Sequence, residues 1–263
     1  MRNSKTVLLS FDVEEFDMPF EYGGNPSMSE QIATSKAGLN KILAVLNEFQ
    51  AKATFYTTAT YALAEAEQIA KVAQTHEIAS HNYYHSKFEI EDLANSKKTL
   101  ESITNTAVVG FRMPRMAPVS NTDLIAAGYQ YNASVNPCWL PGRYDMRHIS
   151  RTVYTEDNLL QFPASVSPNY RVPLFWIAFH NFPLTYFFYL CKKVLEKDGY
   201  LHLYFHPWEF TDYTLAKDGA KYPFYLHRNN GEKMKNRFEK LMKFLQKEGC
   251  EFKTTGAFLI YYK

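Results

Sequence analysis

Glu77-Ile78-Ala79-Ser80-His81-Asn82-Tyr83-Tyr84-His85 reads as a short apolar strand that runs straight into two histidines. Two histidines four residues apart, on one turn of helix or in a tight loop, point the same way. They offer a pair of imidazole nitrogens to one divalent metal such as zinc. The spacing alone is common, and two polar residues capping a helix would look the same. What gives the pair weight is the pattern that surrounds it.

Moving outward, short β-rich runs alternate with helical stripes. Residues 7–11 form a buried strand with acidic residues at its C-terminal tip. Residues 36–49 carry Leu39, Ile42, Leu43, Leu46 and Phe49 at helical spacing. Strands at 53–57, 77–80, 107–111 and 129–134 are separated by helices at 63–74, 90–104 and 121–127, the last stopped by Gly128. A segment rich in Pro, Gly, Arg and Asp at 136–158 predicts a long irregular insertion. A strand at 159–162, a helix at 186–196 and a strand at 201–205 follow. Residues 211–230 read as a loop, 232–247 as an amphipathic helix ended by Gly249, and 251–262 as a short closing element. Repeated β-α-β alternation implies a parallel sheet with right-handed crossovers, either a barrel or a doubly wound sheet. In both, functional groups collect at the C-terminal ends of the strands. There is no internal repeat and no linker, so residues 1–263 are expected to form one domain.

Composition narrows the function. With 46% hydrophobic and 21% charged residues the chain is expected to be globular, and a net charge of +2 gives no reason to expect nucleic acid or an anionic membrane as partner. Cys138, Cys191 and Cys250 are too scattered for a disulfide framework, which suits a reducing compartment. The N-terminal apolar run is too short for a secretory signal, so the expected location is cytoplasmic. The aromatic run 173–190 is interrupted by His180, Asn181 and Pro183. It reads as a loop and buried helix, with contact to a membrane surface as the lesser option. Nothing in the sequence sets the oligomeric state.

The strand ends carry a set of polar residues. Asp12, Glu14 and Glu15 follow the first strand, His81 and His85 the third, Arg112 the fourth, and His206 the late strand. A carboxylate and two histidines make an open metal site, and further acid–base groups on the same rim make a metal-assisted hydrolase. Each member alone has a plainer reading: a solvated turn for the acidic run, a surface ion pair for Arg112, a strand-end histidine for His206. His202 shares the strand face of His206 and is assigned a buried structural role.

From Val7 to His206 the sequence resembles the polysaccharide deacetylases of carbohydrate esterase family 4, which share the NodB-homology domain. The resemblance rests on Ser10-Phe11-Asp12-Val13-Glu14, Ala53-Thr54-Phe55-Tyr56, the 77–85 stretch, Gly110-Phe111-Arg112-Met113-Pro114, and residues 201–208. It implies an α/β fold, an irregular (β/α)7-type barrel similar to a TIM barrel, and metal-dependent removal of acetyl groups from sugars. By the same resemblance Asp12 is the general base, Arg112 orients it, and His206 is the general acid that protonates the leaving amine. His81 and His85 hold the metal, with Glu14 as third ligand and Glu15 as its alternate. The metal implied is zinc, or else cobalt or nickel. Two positions depart from the family pattern: Val13 stands where a second Asp is usual, and Asn132 where Asp is often found. The expected function is deacetylation of a sugar, at an N-acetyl group, in a surface polysaccharide or exopolysaccharide precursor. The alternatives are a catalytically weak carbohydrate-binding relative and an amidohydrolase acting on a small ureide-like amide. Trp176, Phe179 and the loop near Trp139 are candidate sugar subsites by residue type.

Overall fold

β1 (Thr6–Val13) is buried along its whole length. Continuous burial of this kind is what a central strand with both faces covered requires. The computed structural model, which describes residues 5–142, 144–215 and 219–262, shows how the covering is done. After β1 come α1 (Met28–Glu48), β2 (Thr54–Thr57), α2 (Ala59–Ala64), α3 (Ala66–Val72), β3 (Glu77–Ser80), α4 (Glu91–Thr104), β4 (Gly110–Phe111), α5 (Asn121–Ala126) and β5 (Tyr131–Asn132). The insertion holds a two-stranded hairpin, β6 (Trp139–Leu140) with β7 (Tyr144–Asp145), then β8 (Tyr154–Glu156) and β9 (Leu159–Gln161). The chain finishes with α6 (Trp176–Asn181), α7 (Leu184–Asp198), β10 (Tyr200–Phe205), α8 (Phe224–His227), α9 (Glu232–Lys247), β11 (Glu251–Lys253) and α10 (Thr255–Leu259).

Among the described residues eight strands run parallel, seven in the order β10-β1-β2-β3-β4-β5-β9 and β11 pairing beside β1, with β8 antiparallel on the far edge. The sheet curls, and the gap between β9 and β10 is bridged where Ser165 N donates to His202 O at 2.9 Å. The result is an irregular (β/α)7 barrel, as the sequence predicts.

Alternation along β1 sorts the side chains. Val7, Leu9, Phe11 and Val13 pack outward on the helices, in one cluster with Leu39, Ile42 and Leu46 of α1 and Phe238, Leu241 and Leu245 of α9. Leu8 faces inward with Tyr56, Ala79, Tyr131, Phe162 and Tyr200, and this layer is closed from below by Phe258 and Leu259 of α10. Ser10 and Asp12 are next on the same face.

Several elements differ from the sequence expectation. α1 begins at Met28, not at residue 36, because Ser27 builds a capping box with Glu30: Glu30 N donates to Ser27 Oγ and Ser27 N to Glu30 Oε2. The expected helix 63–74 is two short helices that meet at Glu65. The expected strands 107–111 and 129–134 shrink to two residues each. The supposed loop 211–230 contains α8. The aromatic run 173–190 forms α6 and the start of α7, with Phe179, Phe187 and Leu190 buried in the core. Among the described residues no helix is long and apolar enough to cross a membrane.

α1 also makes a close approach. A Cβ on Gly38 would lie 1.7 Å from the carbonyl oxygen of Pro207, so α1 presses directly on the 3-10 turn Pro207–Phe210 that follows β10.

Candidate active site

Parallel strands end together, so the polar residues after β1, β3, β4 and β10 meet on one rim. His81 leaves β3, and the chain then turns tightly through Asn82, which has φ 66°. Asn tolerates this left-handed conformation, and its amide donates to the carbonyls of Tyr84 and Lys87. The turn returns His85 to the side of His81, with ring centroids 5.7 Å apart. The pair therefore sits in a tight loop and not on a helix.

Each ring is committed through Nδ1. His81 Nδ1 donates to Arg112 O at 2.8 Å, and His85 Nδ1 to Asp17 Oδ1 at 2.8 Å. The two Nε2 atoms both face Glu14 Oε2, at 3.1 and 3.0 Å. With Nδ1 protonated, a neutral imidazole presents a lone pair at Nε2, so three acceptors face one another. Only a cation or additional protons reconcile that arrangement. Glu14, His81 and His85 each offer one atom within 4.8 Å of the others, and all three are buried. The donor set suits a divalent metal of the zinc type, and the Nδ1 partners are what orient such ligands.

Electrostatics agree with the geometry. Burial alone would raise the Glu14 carboxyl, but His85 and hydrogen bonds from both imidazoles hold it well below the usual range. Burial alone would lower His85, and the Glu14 and Asp17 carboxylates instead raise it to about 10. A proton and a metal thus compete for the same nitrogen. Glu14 Oε1 accepts from Trp208 Nε1 at 3.1 Å. Glu15 is used elsewhere: it accepts from His85 N and Thr58 Oγ1, and so pins the histidine loop.

Asp12 lies beside this cluster. Arg112, fully buried, donates from Nη1 to Asp12 Oδ1 at 2.6 Å, from Nε to Ala133 O, and meets His202 Nε2 with Nη2 at 3.2 Å. Its guanidinium also covers the Tyr56 ring at 3.9 Å. Burial would lower the Arg112 pKa, and Asp12 keeps it raised. His202 Nδ1 donates to Pro163 O, which leaves Nε2 to accept from Arg112. Burial and the guanidinium push the His202 pKa down to about 3.

On the far side, His206 Nε2 is 3.8 Å from Asp12 Oδ2. Its Nδ1 donates to Glu209 Oε1 at 2.9 Å, and its ring stacks on Trp208, centroids 4.8 Å apart. Burial would lower its pKa; Glu209, Glu14 and Asp12 together raise it. Asn132 does not reach this group. Its Oδ1 accepts from Ser134 N and Oγ in the turn after β5.

Asp12, Glu14, His81, His85 and His206 open into one cleft of about 310 Å³, walled by Trp176, Tyr204 and Trp208 among others. Of the candidate subsites, Trp176 lines the cleft, while Phe179 has no exposed surface and packs on Phe187 and Phe205. Phe179 is therefore core and not a sugar contact. Trp139 is half exposed beneath Arg147, and its hairpin neighbours Leu140 and Tyr144 line the cleft in its place. Sequence reasoning missed Asp17 and Glu209. Glu209 could have been found, since it stands three residues after His206 at the start of a turn, the spacing of a capping box. Asp17 carries no such signal.

The model of the family described as polysaccharide deacetylase matches residues 2–134, just over half of the chain. No curated protein sequence matches it. Among solved structures, a protein described as a probable polysaccharide deacetylase, from Pseudomonas aeruginosa PAO1, is 14% identical, with a TM-score of 0.68 over 97% of this chain and 90% of that one. One from Mycobacterium smegmatis is 18% identical, with a TM-score of 0.65 over 98% and 90%. Puue allantoinase is 15% identical, with a TM-score of 0.65 over 97% and 89%. At these identities the likeness is one of fold. The family match, the barrel and the Glu-His-His cluster agree, and the chain belongs to the polysaccharide deacetylase family.

Proposed function

We propose that the cleft removes the N-acetyl group from a sugar of a surface polysaccharide or of its precursor. The observation that carries this reading is the placement of Asp12 and His206, 3.8 Å apart, on the same rim as the Glu14-His81-His85 cluster. Those three side chains would hold a divalent cation, zinc by its donor set, which would supply Lewis-acid polarisation of the acetyl carbonyl and of water.

The chain's own groups do the rest. Asp12 Oδ1 is held by Arg112, which leaves Oδ2 as the base that takes a proton from the attacking water. His206 Nε2, its proton held on the cleft side, protonates the departing amine. A carbon–oxygen bond forms, the amide carbon–nitrogen bond breaks, and acetate and a free amino sugar leave. Trp176 and Tyr204 give the walls apolar faces against which a sugar ring can pack.

The test is mass spectrometry of N-acetylhexosamine oligomers incubated with zinc-loaded protein. Loss of one acetyl unit, abolished in Asp12→Asn while metal content is retained, supports the assignment. Turnover of a small ureide amide and no acetyl sugar would replace it with the amidohydrolase reading. Sugar binding without turnover by metal-loaded protein would make the chain a binding relative.

A further inference from the structure

Glu209 has no exposed surface, and its two oxygens are divided between two histidines. Oε1 accepts from the backbone N of His206 and from His206 Nδ1 at 2.9 Å. Oε2 meets His180 Nε2 at 2.9 Å. His180, itself fully buried on α6, donates from Nδ1 to Arg228 O at 2.6 Å. Both nitrogens of His180 are therefore engaged, and the carboxylate cannot rotate without losing a partner on each side. One indole covers the pair: Trp176 meets His180 and His206 edge-on, with centroids 6.0 and 5.4 Å away.

We propose that Glu209 and His180 act as positioning residues for His206, Glu209 fixing the Nδ1–H tautomer and supplying the negative charge that Asn132 does not, and His180 locking the carboxylate in place. The proposal rests on the reading of His206 as the general acid. With Nδ1 bonded to Glu209, the other nitrogen is the one that faces the cleft beside Asp12. The charged and titratable groups around His206 are few. Asp12 approaches from β1, Glu14 from the segment after it, Tyr204 from β10, and Glu209 from the 3-10 turn with His180 behind it. Of these, only Glu209 is hydrogen-bonded to the ring, and its effect is to raise the His206 pKa against burial.

The experiment compares wild type, Glu209→Gln and His180→Gln as zinc-loaded proteins. Long-range proton–nitrogen NMR gives the tautomer and titration midpoint of His206, and the pH profile of kcat gives the limb on which activity falls as His206 loses its proton. For Glu209→Gln, both the midpoint and that basic limb should move down by about one pH unit or more, with KM little changed, since removing an adjacent opposite charge shifts a pKa by about 1–3 units. His180→Gln releases Oε2 of Glu209, so His206 should lose its preference for the Nδ1–H tautomer, and this decides the matter if Glu209→Gln does not fold. An unchanged midpoint and tautomer, or a uniform fall in kcat with no movement of the limb, overturns the proposal. If wild type turns over no acetylated sugar, the proposed function fails, and the NMR midpoint still judges the relay.

Discussion

Arg112 and Asp12 form a 2.6 Å ion pair with almost no solvent on either side, the arginine 0% and the aspartate 3% exposed. A buried pair contributes little over an apolar one, yet removing one partner leaves a charge stranded at a cost of about 3–5 kcal/mol. Arg112→Ala should lower unfolding stability by that order in a urea titration. Arg112→Lys keeps the charge but not the planar fork that serves Asp12, Ala133 O and His202 together. It should lose less stability than Arg112→Ala and still lose most of its turnover.

The three acceptors that meet in the Glu14-His81-His85 cluster give a second expectation. Elemental analysis of purified protein should find about one divalent metal per chain, and His81→Ala or Glu14→Gln should lose it. Zinc at about 1,000 times its Kd should stabilise the wild type by about 4 kcal/mol, seen as a rise in Tm that both variants lack. Dialysis against a chelator should abolish turnover and added zinc should restore it.

His202 makes acid stability a test of the interior. Its folded pKa of about 3 lies below the ordinary histidine value. Between those two pH values the unfolded chain binds the extra proton, so stability falls as pH falls from about 6.5 toward 3. The slope from one such group approaches about 1.4 kcal/mol per pH unit. In His202→Gln the curve of unfolding free energy against pH should be flatter across this window. An equally steep curve would show that the imidazole is not held neutral.

Gly38→Ala tests how the fold positions His206. Alanine favours helix over glycine by about 1 kcal/mol, but here the new methyl would meet the Pro207 carbonyl, 1.7 Å from its ideal position. Overpacking of this sort costs about 1–3 kcal/mol. Because Pro207 adjoins His206, the variant should lose kcat as well as stability, while its metal content, set by residues that follow β1 and β3, should not change.

Where a segment's pattern has one dominant cause, the sequence shows the structure. α9 runs over the residues its apolar spacing predicts, because one face is buried and the other solvated. β1, β3 and β10 are visible as apolar runs for the same reason, and their tips carry the polar residues that the barrel then gathers. The first two turns of α1 were not legible, since Ser29, Glu30 and Thr34 lie on a polar surface and only the cap at Ser27 marks the start. The split between α2 and α3 lies within an alanine-rich run that gives no period to read. Phe179 looked like a subsite because residue type says nothing of direction. The Nδ1 partners escaped notice because Asp17 meets His85 only after the chain has folded.

β1 finds β2 close by in the chain, but its other neighbours, β10 and β11, lie near the far end, where Thr6 pairs with both Tyr200 and Glu251. Contacts of such sequence separation are slow to form, since loop closure must precede any gain from pairing. During synthesis Asp12, Glu14, His81 and His85 leave the ribosome long before the strand that brings His206. Until then β1, buried along its whole length in the finished barrel, keeps an open edge, the kind that other chains can add to. The arrangement that places His206 opposite Asp12 thus makes the unfinished chain prone to aggregation, and the cleft complete only when the last third of the chain has docked.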